Sequence, residues 1–496
     1  MAHLPVNNQS LNQSDSADVT AEESPSRLEY ERQSPLGAVT VRSVLAISLP
    51  AIIEQLVQAA VGLTDAIIAG HIPGNSDTVA AASAAVGVMA YIQWLAGLLV
   101  AAFAVGATAI VSRAIGARRP RVANRVAGTA LSGAFLLSLV TAVLLYCFAS
   151  QVSAVAGLTG LAHTYGTQYL HIMTITIALQ AASMIGMACL RGAGDTVRPM
   201  LVTGGVAVLN ILTSSAFTFG LFGMPAWGIR GNAFGTMIAY LLGGVATMVL
   251  LMGGWSKLKI SLRHLKIVPH ILARLLRIGT PAWAEGMLLW LGQFLIVIFV
   301  INANDAAVHV SGATMAAHNT VIRIESLAFL PGFGFGIACS ALVGQYLGAG
   351  RPDRAQQATR LCNRLAIATM SLVALPMVLC PRFLLSVMIN SKTVVDLGVW
   401  PMILAGLAQP GFAVCIIKGS ALKGAGETIW PMISTVSGMV LVRLPMLLLA
   451  VVIFRRLNWP ATGLLAVWIG IFADLNYRAI VNAVVFTRGK WMTKEL

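Results

Sequence analysis

Leu190-Arg191-Gly192-Ala193-Gly194-Asp195-Thr196 returns further along the chain as Leu422-Lys423-Gly424-Ala425-Gly426-Glu427-Thr428, a step of 232 in the numbering. The same step carries Pro199 to Pro431, and Gly116-Ala117-Arg118-Arg119-Pro120 to Gly348-Ala349-Gly350-Arg351-Pro352. At 231 it carries Pro50-Ala51-Ile52-Ile53-Glu54 to Pro281-Ala282-Trp283-Ala284-Glu285. Three landmarks in one order at one spacing mark a duplicated chain.

The stretches between these landmarks are apolar. Of 496 residues, 57% are hydrophobic and 10% charged, with mean hydropathy +0.81, whereas soluble domains carry about 25% charged residues. A chain this apolar cannot cover itself with polar surface, so lipid is its solvent over much of its length. Twelve spans are expected at 42–70, 79–112, 122–150, 160–190, 197–222, 228–254, 272–302, 309–346, 355–380, 394–420, 428–454 and 462–487. The fold class is an all-α polytopic membrane protein with two six-helix lobes. Six spans per half insert the same way up, so a pseudo-twofold axis along the membrane normal relates the halves. The organisation is a disordered cytoplasmic tail (1–41), an N-terminal lobe (42–254), a cytoplasmic linker (255–271), a C-terminal lobe (272–487) and a cytoplasmic tail (488–496).

The even-numbered connections hold 19 Lys and Arg residues and the odd-numbered ones five. Basic loops stay in the cytoplasm, which places both termini there; the membrane expected is the plasma (inner) membrane. That distribution also accounts for the net charge of +15. No aromatic and basic interleaving points to nucleic acid. The N-terminal stretch, 1–40, lacks a signal peptide pattern. None of the six cysteines forms a CxxC pair, so neither a disulfide framework nor a metal site is expected.

The residues resemble the multidrug and toxic compound extrusion (MATE) family from about residue 42 to 488. The likeness rests on Leu49-Pro50, Glu54, Gly62-Leu63-Thr64-Asp65 and Ala69-Gly70-His71, and on Arg191-Gly-Ala-Gly-Asp195-Thr196 with Pro199. In the second half it rests on Ala316-Ala317-His318-Asn319, Arg323-Ile324-Glu325-Ser326-Leu327, Pro331-Gly-Phe-Gly-Phe-Gly336 and Gln345-Tyr346-Leu347-Gly348-Ala349-Gly350. The resemblance implies two lobes working by alternating access, and export of organic cations or other amphipathic compounds in exchange for H⁺ or Na⁺. It implies cation coupling at Asp65, with Asn210 and Thr236 as polar partners. One branch of the family has a second aspartate where this chain has Ser214, which leaves less charge for a metal cation.

Ionisable residues inside apolar spans are costly and mark candidate sites. Eleven residues separate Glu54 from Asp65, about 16 Å on one face of a helix. Glu54 and Glu285 each follow a proline by four residues and suit either a helix start or a cleft wall. His318, Arg323 and Glu325 are candidates for a proton or cation relay, although positions two apart do not face each other. Pro331-Gly-Phe-Gly-Phe-Gly336 is expected to interrupt span eight, and Asp474, Asn476 and Arg478 span twelve, with Asp474 and Arg478 pairing four apart.

The function expected is secondary antiport of small molecules by two rocking lobes. The expected partners are substrate and membrane lipid, and the protein is expected to be a monomer without a cofactor beyond its coupling ion. The rival within the same superfamily is a lipid-linked glycan flippase, for which Arg323 and Arg443 would supply positive charge. An intramembrane enzyme would need paired Asp-rich motifs, and the sequence has none.

Overall fold

A computed structural model describes residues 39–304, 312–457 and 462–494. The proposed disordered tail, apart from its last three residues, and the first three residues of the eighth expected span lie outside this range. Twelve long helices follow in order: α1 Val41–Gly70, α2 Ser76–Gly116, α3 Pro120–Cys147, α4 Gly160–Gly192, α5 Val197–Phe219 and α6 Ile229–Gly253. The second set is α7 Pro269–Asn304, α8 Ala313–Gly348, α9 Pro352–Leu379, α10 Lys392–Gly424, α11 and α12 Thr462–Thr487. Helix α11 consists of Ile429–Ser437 and Leu444–Arg456, joined by a π turn, Gly438–Arg443. Among the described residues, eleven helices are long and apolar enough to span a membrane; α7 is the remaining one of the twelve expected.

Local chemistry sets the ends. Thr40 caps α1, accepting from Ser43 N at 3.1 Å, a favoured use of a threonine hydroxyl. Pro120 and Pro352 open α3 and α9, where a missing N–H costs nothing. The repeated Gly-Ala-Gly-Asp/Glu segment is a helix stop: Gly194 and Gly426 hold φ of +89° and +80°. Asp195 N and Glu427 N then donate to the carbonyls of Leu190 and Leu422 at 2.9 and 2.8 Å, closing each helix end.

Two expected interruptions are absent. Helix α8 runs unbroken through Pro331, and α12 through Asp474–Arg478. In α8 the neighbouring helices pack tightly enough to hold the proline turn: Gly332 faces Met370 and Gly334 faces Ile52. The break falls instead in α11, where the ladder widens into the π turn, because Pro445 cannot donate to the carbonyl four residues back. The linker is also shorter than expected, because α7 begins at Pro269.

The two sets of six meet at the end that carries the Lys- and Arg-rich loops, called the basic end below. There a Cβ on Gly116 would strike the Gln345 carbonyl, and one on Gly348 would strike the Arg113 carbonyl. Positions 113 and 345, like 116 and 348, are 232 apart, so the seam is a self-complementary pair across the pseudo-twofold axis. Gly106 on Leu275 and Gly279 on Ala102 extend it. Gln345 Nε2 donates across it to the Gly192 carbonyl at 2.9 Å. Helix backbones come this close only where side chains are absent.

Candidate functional site

Asp65 sits in the interior of the first six helices, 9% exposed. Its Oδ1 accepts from Asn210 Nδ2 on α5 and from Thr236 Oγ1 on α6, each at 3.2 Å. Asn210 Nδ2 also reaches Thr236 Oγ1 at 2.9 Å. Thus the structure brings together the three residues expected to act as one group. Ser214 is beside them: its Oγ lies 3.3 Å from Thr236 Oγ1 and donates to the Asn232 carbonyl at 3.2 Å. Sequence reading did not single out Asn232, whose Nδ2 donates to the Asp65 carbonyl at 3.2 Å. Its signal was present, an amide one helical turn before Thr236 on the same face of an apolar span.

A carboxylate so placed, with no cation in contact among the described residues, is costly to keep ionised. Among the described residues, the side chains that hydrogen-bond to it are neutral donors. Asn210 Oδ1 and Asn232 Oδ1 are buried acceptors without a partner, an uncommon state for a native interior.

A cavity of about 320 Å³ opens in the same lobe and is walled by α1, α2, α4, α5 and α6, with Leu145 of α3. Its lining includes Gln55, Gln58, Gln93 and Gln180 together with Met173, Met184, Met187, Val61 and Tyr240. Thioether side chains adapt to varied shapes, and the amides offer both donors and acceptors. Glu54 lines this cavity but is not free: its Oε1 holds Arg191 at 2.5 Å while its Oε2 is buried without a hydrogen bond. The second half repeats the pair, with Glu285 Oε2 on Lys423 Nζ at 2.8 Å. Both glutamates therefore tie their helix to the repeated turn at the basic end.

The relay drawn through His318, Arg323 and Glu325 is not assembled. The His318 ring stacks edge-on against Trp468, centroids 5.8 Å apart, and Arg323 is exposed on another face of α8. Glu325 instead meets Gln409 Nε2 at 3.4 Å. The expected Asp474–Arg478 pair is present at 3.4 Å, but the closer cation is Arg443 at 2.6 Å. Sequence spacing could not show that contact, because 31 residues separate the partners.

A family profile described as MatE matches residues 50–215 and 281–449. The chain is 28% identical over 453 residues to a Thermotoga maritima protein named "Probable multidrug resistance protein NorM", covering 91% of this chain and 93% of that one. It is 26% identical over 470 residues to "Multidrug resistance protein MdtK" of Edwardsiella ictaluri, covering 92% and 96%. A solved structure described as the outward-facing conformation of a multidrug resistance MATE family transporter superposes with TM-score 0.81. That match covers 96% of this chain and 100% of that one at 20% identity, which speaks for the fold alone.

Proposed function

Because this chain belongs to the MatE family, with one matched stretch in each half, we propose that it exports amphipathic small molecules, organic cations among them, by antiport against H⁺. The observation that carries the choice of ion is the Asp65 cluster. A hard metal cation needs several oxygens turned toward it, whereas Asp65 is approached by an amide N–H and a hydroxyl. Ser214 stands where a second carboxylate would add charge. A proton asks less: it neutralises Asp65 and can be donated to Asn210 Oδ1 once the amide turns over.

The substrate occupies the N-lobe cavity of glutamines and methionines, and Glu54 faces it from the α1 wall. The basic end is cytoplasmic by its charge, so the seam closed there corresponds to an outward-facing state. Protonation of Asp65 favours one lobe arrangement only as far as its affinity for H⁺ differs between the two. The protein acts in the plasma membrane, as a monomer surrounded by lipid, with both termini inside. The glycan-flippase reading has less support, since Arg443, one of the two cations it relied on, is engaged by Asp474.

The test is efflux of a fluorescent organic cation from proteoliposomes under an imposed pH or Na⁺ gradient. Efflux driven by the pH gradient alone, and abolished in correctly inserted Asp65→Asn, is the expected result. Efflux driven only by Na⁺ would overturn the choice of ion. Full proton-driven efflux by Asp65→Asn would overturn the site.

A further inference from the structure

Positions 113 and 345 are counterparts at the seam, and each sends one side chain across it. Gln345 reaches the Gly192 carbonyl in the first repeated turn. The matching carbonyl of the second turn, 232 residues on, belongs to Gly424. Arg113 goes elsewhere: its Nη1 donates at 2.6 Å to the carbonyl of Lys494, in the segment that follows α12.

That segment is firmly seated on the second lobe. Gly489 turns the chain with φ of +74°, and a 3₁₀ turn, Lys490–Met492, follows. Trp491 is 2% exposed and stacks on Phe486, ring centroids 4.8 Å apart. Its Nε1 donates to the Phe486 carbonyl at 2.8 Å. The other neighbour of the Phe486 ring is Lys418 of α10, whose Nζ lies 4.0 Å from the centroid, a cation–π contact. Gln356 Nε2, on α9, is 3.2 Å from Met492 Sδ. Lys494 Nζ then pairs with Glu427 Oε2, just past the second repeated turn, at 2.7 Å. One residue, Lys494, therefore grips the second lobe with its side chain and the first lobe with its carbonyl.

The first half is wired differently. Asp195, the counterpart of Glu427, is paired within its own turn by Arg198. The counterpart of Arg198 is Trp430, which carries no charge. Glu427 thus takes its cation from outside the turn, and Lys494 supplies it. The counterpart of Lys494 is Leu262. The chain leading to Leu262 is held inside its own lobe: Lys259 N donates to Asn124 Oδ1 at 3.1 Å, and Ile260 N to the Leu251 carbonyl at 2.9 Å. The crossing from Arg113 to Lys494 is therefore not a by-product of the duplication.

Parting the lobes at the basic end would carry Arg113 away with α2 and leave Lys494 with α12. Among the described residues the guanidinium has no acceptor but the Lys494 carbonyl, and its Nε is buried without one. A hydrogen bond from a charged donor is one of the stronger kind, so its loss weighs against opening. The Lys494–Glu427 pair is partly exposed and contributes less by itself. Its part is to hold the carbonyl where Arg113 can reach it.

We propose that residues 489–494 form a strap that ties the two lobes together at the basic end and must release Arg113 before that end can open. The strap favours the arrangement closed at the basic end by as much as it binds Arg113 better there than in the open one. The purpose of such a strap rests on the lobe motion of the proposed antiport. The tie itself is read without substrate or ion gradient.

The experiment is amide hydrogen exchange of the full chain in lipid nanodiscs, followed over the seam, residues 106–116 and 339–348, with α5 as the remote reference. Replacing Lys490-Trp491-Met492-Thr493-Lys494 by Gly-Ser-Gly-Ser-Gly should speed seam exchange roughly tenfold and leave α5 unchanged. Arg113→Met alone should give a similar rise, and added to the replaced strap it should give no further one, because both changes break the same tie. Lys494→Glu keeps Trp491 in place and sets a like charge against Glu427. It should raise seam exchange about twofold, so the test does not hang on the larger replacement. Unchanged seam exchange in either strap variant, or a full additional rise from Arg113→Met on the replaced strap, would overturn the proposal. Failed antiport alongside the expected exchange pattern would count against the proposed function and leave the strap standing.

Discussion

Replacing Asp474 by asparagine should be among the most damaging conservative changes in the second lobe. Asp474 is fully buried, and its two oxygens face Arg443 at 2.6 Å and Arg478 at 3.4 Å. Asparagine keeps the size and one acceptor but removes the charge both guanidiniums answer. Breaking a buried pair from one side costs about 3–5 kcal/mol, because an uncompensated ion remains. For a unit of about 150–250 residues, each kcal/mol moves the melting temperature by about 2–4 °C, so a fall of roughly 6–20 °C follows if the lobe unfolds as a unit. The assay is thermal unfolding of the detergent-purified variant, followed by tryptophan fluorescence. The triple change Asp474→Leu, Arg443→Met, Arg478→Met should recover most of that loss, since apolar groups of similar volume can replace a buried ion cluster at little cost. A fall of less than about 2 °C for Asp474→Asn, below one kcal/mol on that scale, would refute the claim that this carboxylate neutralises the cluster.

The two repeated ion pairs should differ in weight. Arg191→Ala strands Glu54, whose side chain is 3% exposed, whereas Lys423→Ala strands Glu285, which is 12% exposed and can recruit water. The former should therefore lower the melting temperature more, and equal shifts would contradict this. Gly348→Ala places a methyl group against the Arg113 carbonyl, and backbone cannot yield there without parting the lobes. A seam weakened by about 1.4 kcal/mol opens roughly tenfold more often, to be read as faster amide hydrogen exchange over residues 106–116 and 339–348; unchanged exchange would mean the seam tolerates the methyl. In the connection after α6, burial pushes the Lys257 ammonium down from 10.5 to about 8, with Asp195 opposing. At neutral pH both folded and unfolded chains carry that charge, so its burial cost is fully present. The cost fades as pH rises from about 8 to 10.5, because the folded form gives up its proton first. Lys257→Met should thus stabilise the protein at neutral pH by about 1–3 kcal/mol, and the gain should shrink over that range; a pH-independent gain would point to packing instead.

The sequence by itself determined the number and order of the long helices, the duplication, and the grouping of Asp65 with Asn210 and Thr236 through family likeness. Each of these is written in local signals: apolar length sets a span, and a Gly-Ala-Gly turn that recurs at a constant step sets a symmetry. Those signals do not report which side chain meets which across helices. Only the tertiary structure decided that Glu54 and Glu285 hold the repeated Arg191 and Lys423, that His318 turns away to Trp468, and that Asp474 belongs to Arg443 before Arg478. It also decided that Pro331 and Asp474–Arg478 interrupt nothing, while Pro445 shifts the break into α11. The physical reason is common to all of them. In a lipid-solvated bundle an ion or a proline-freed carbonyl must find its partner on a neighbouring helix, and that neighbour is fixed by packing, not by distance along the chain.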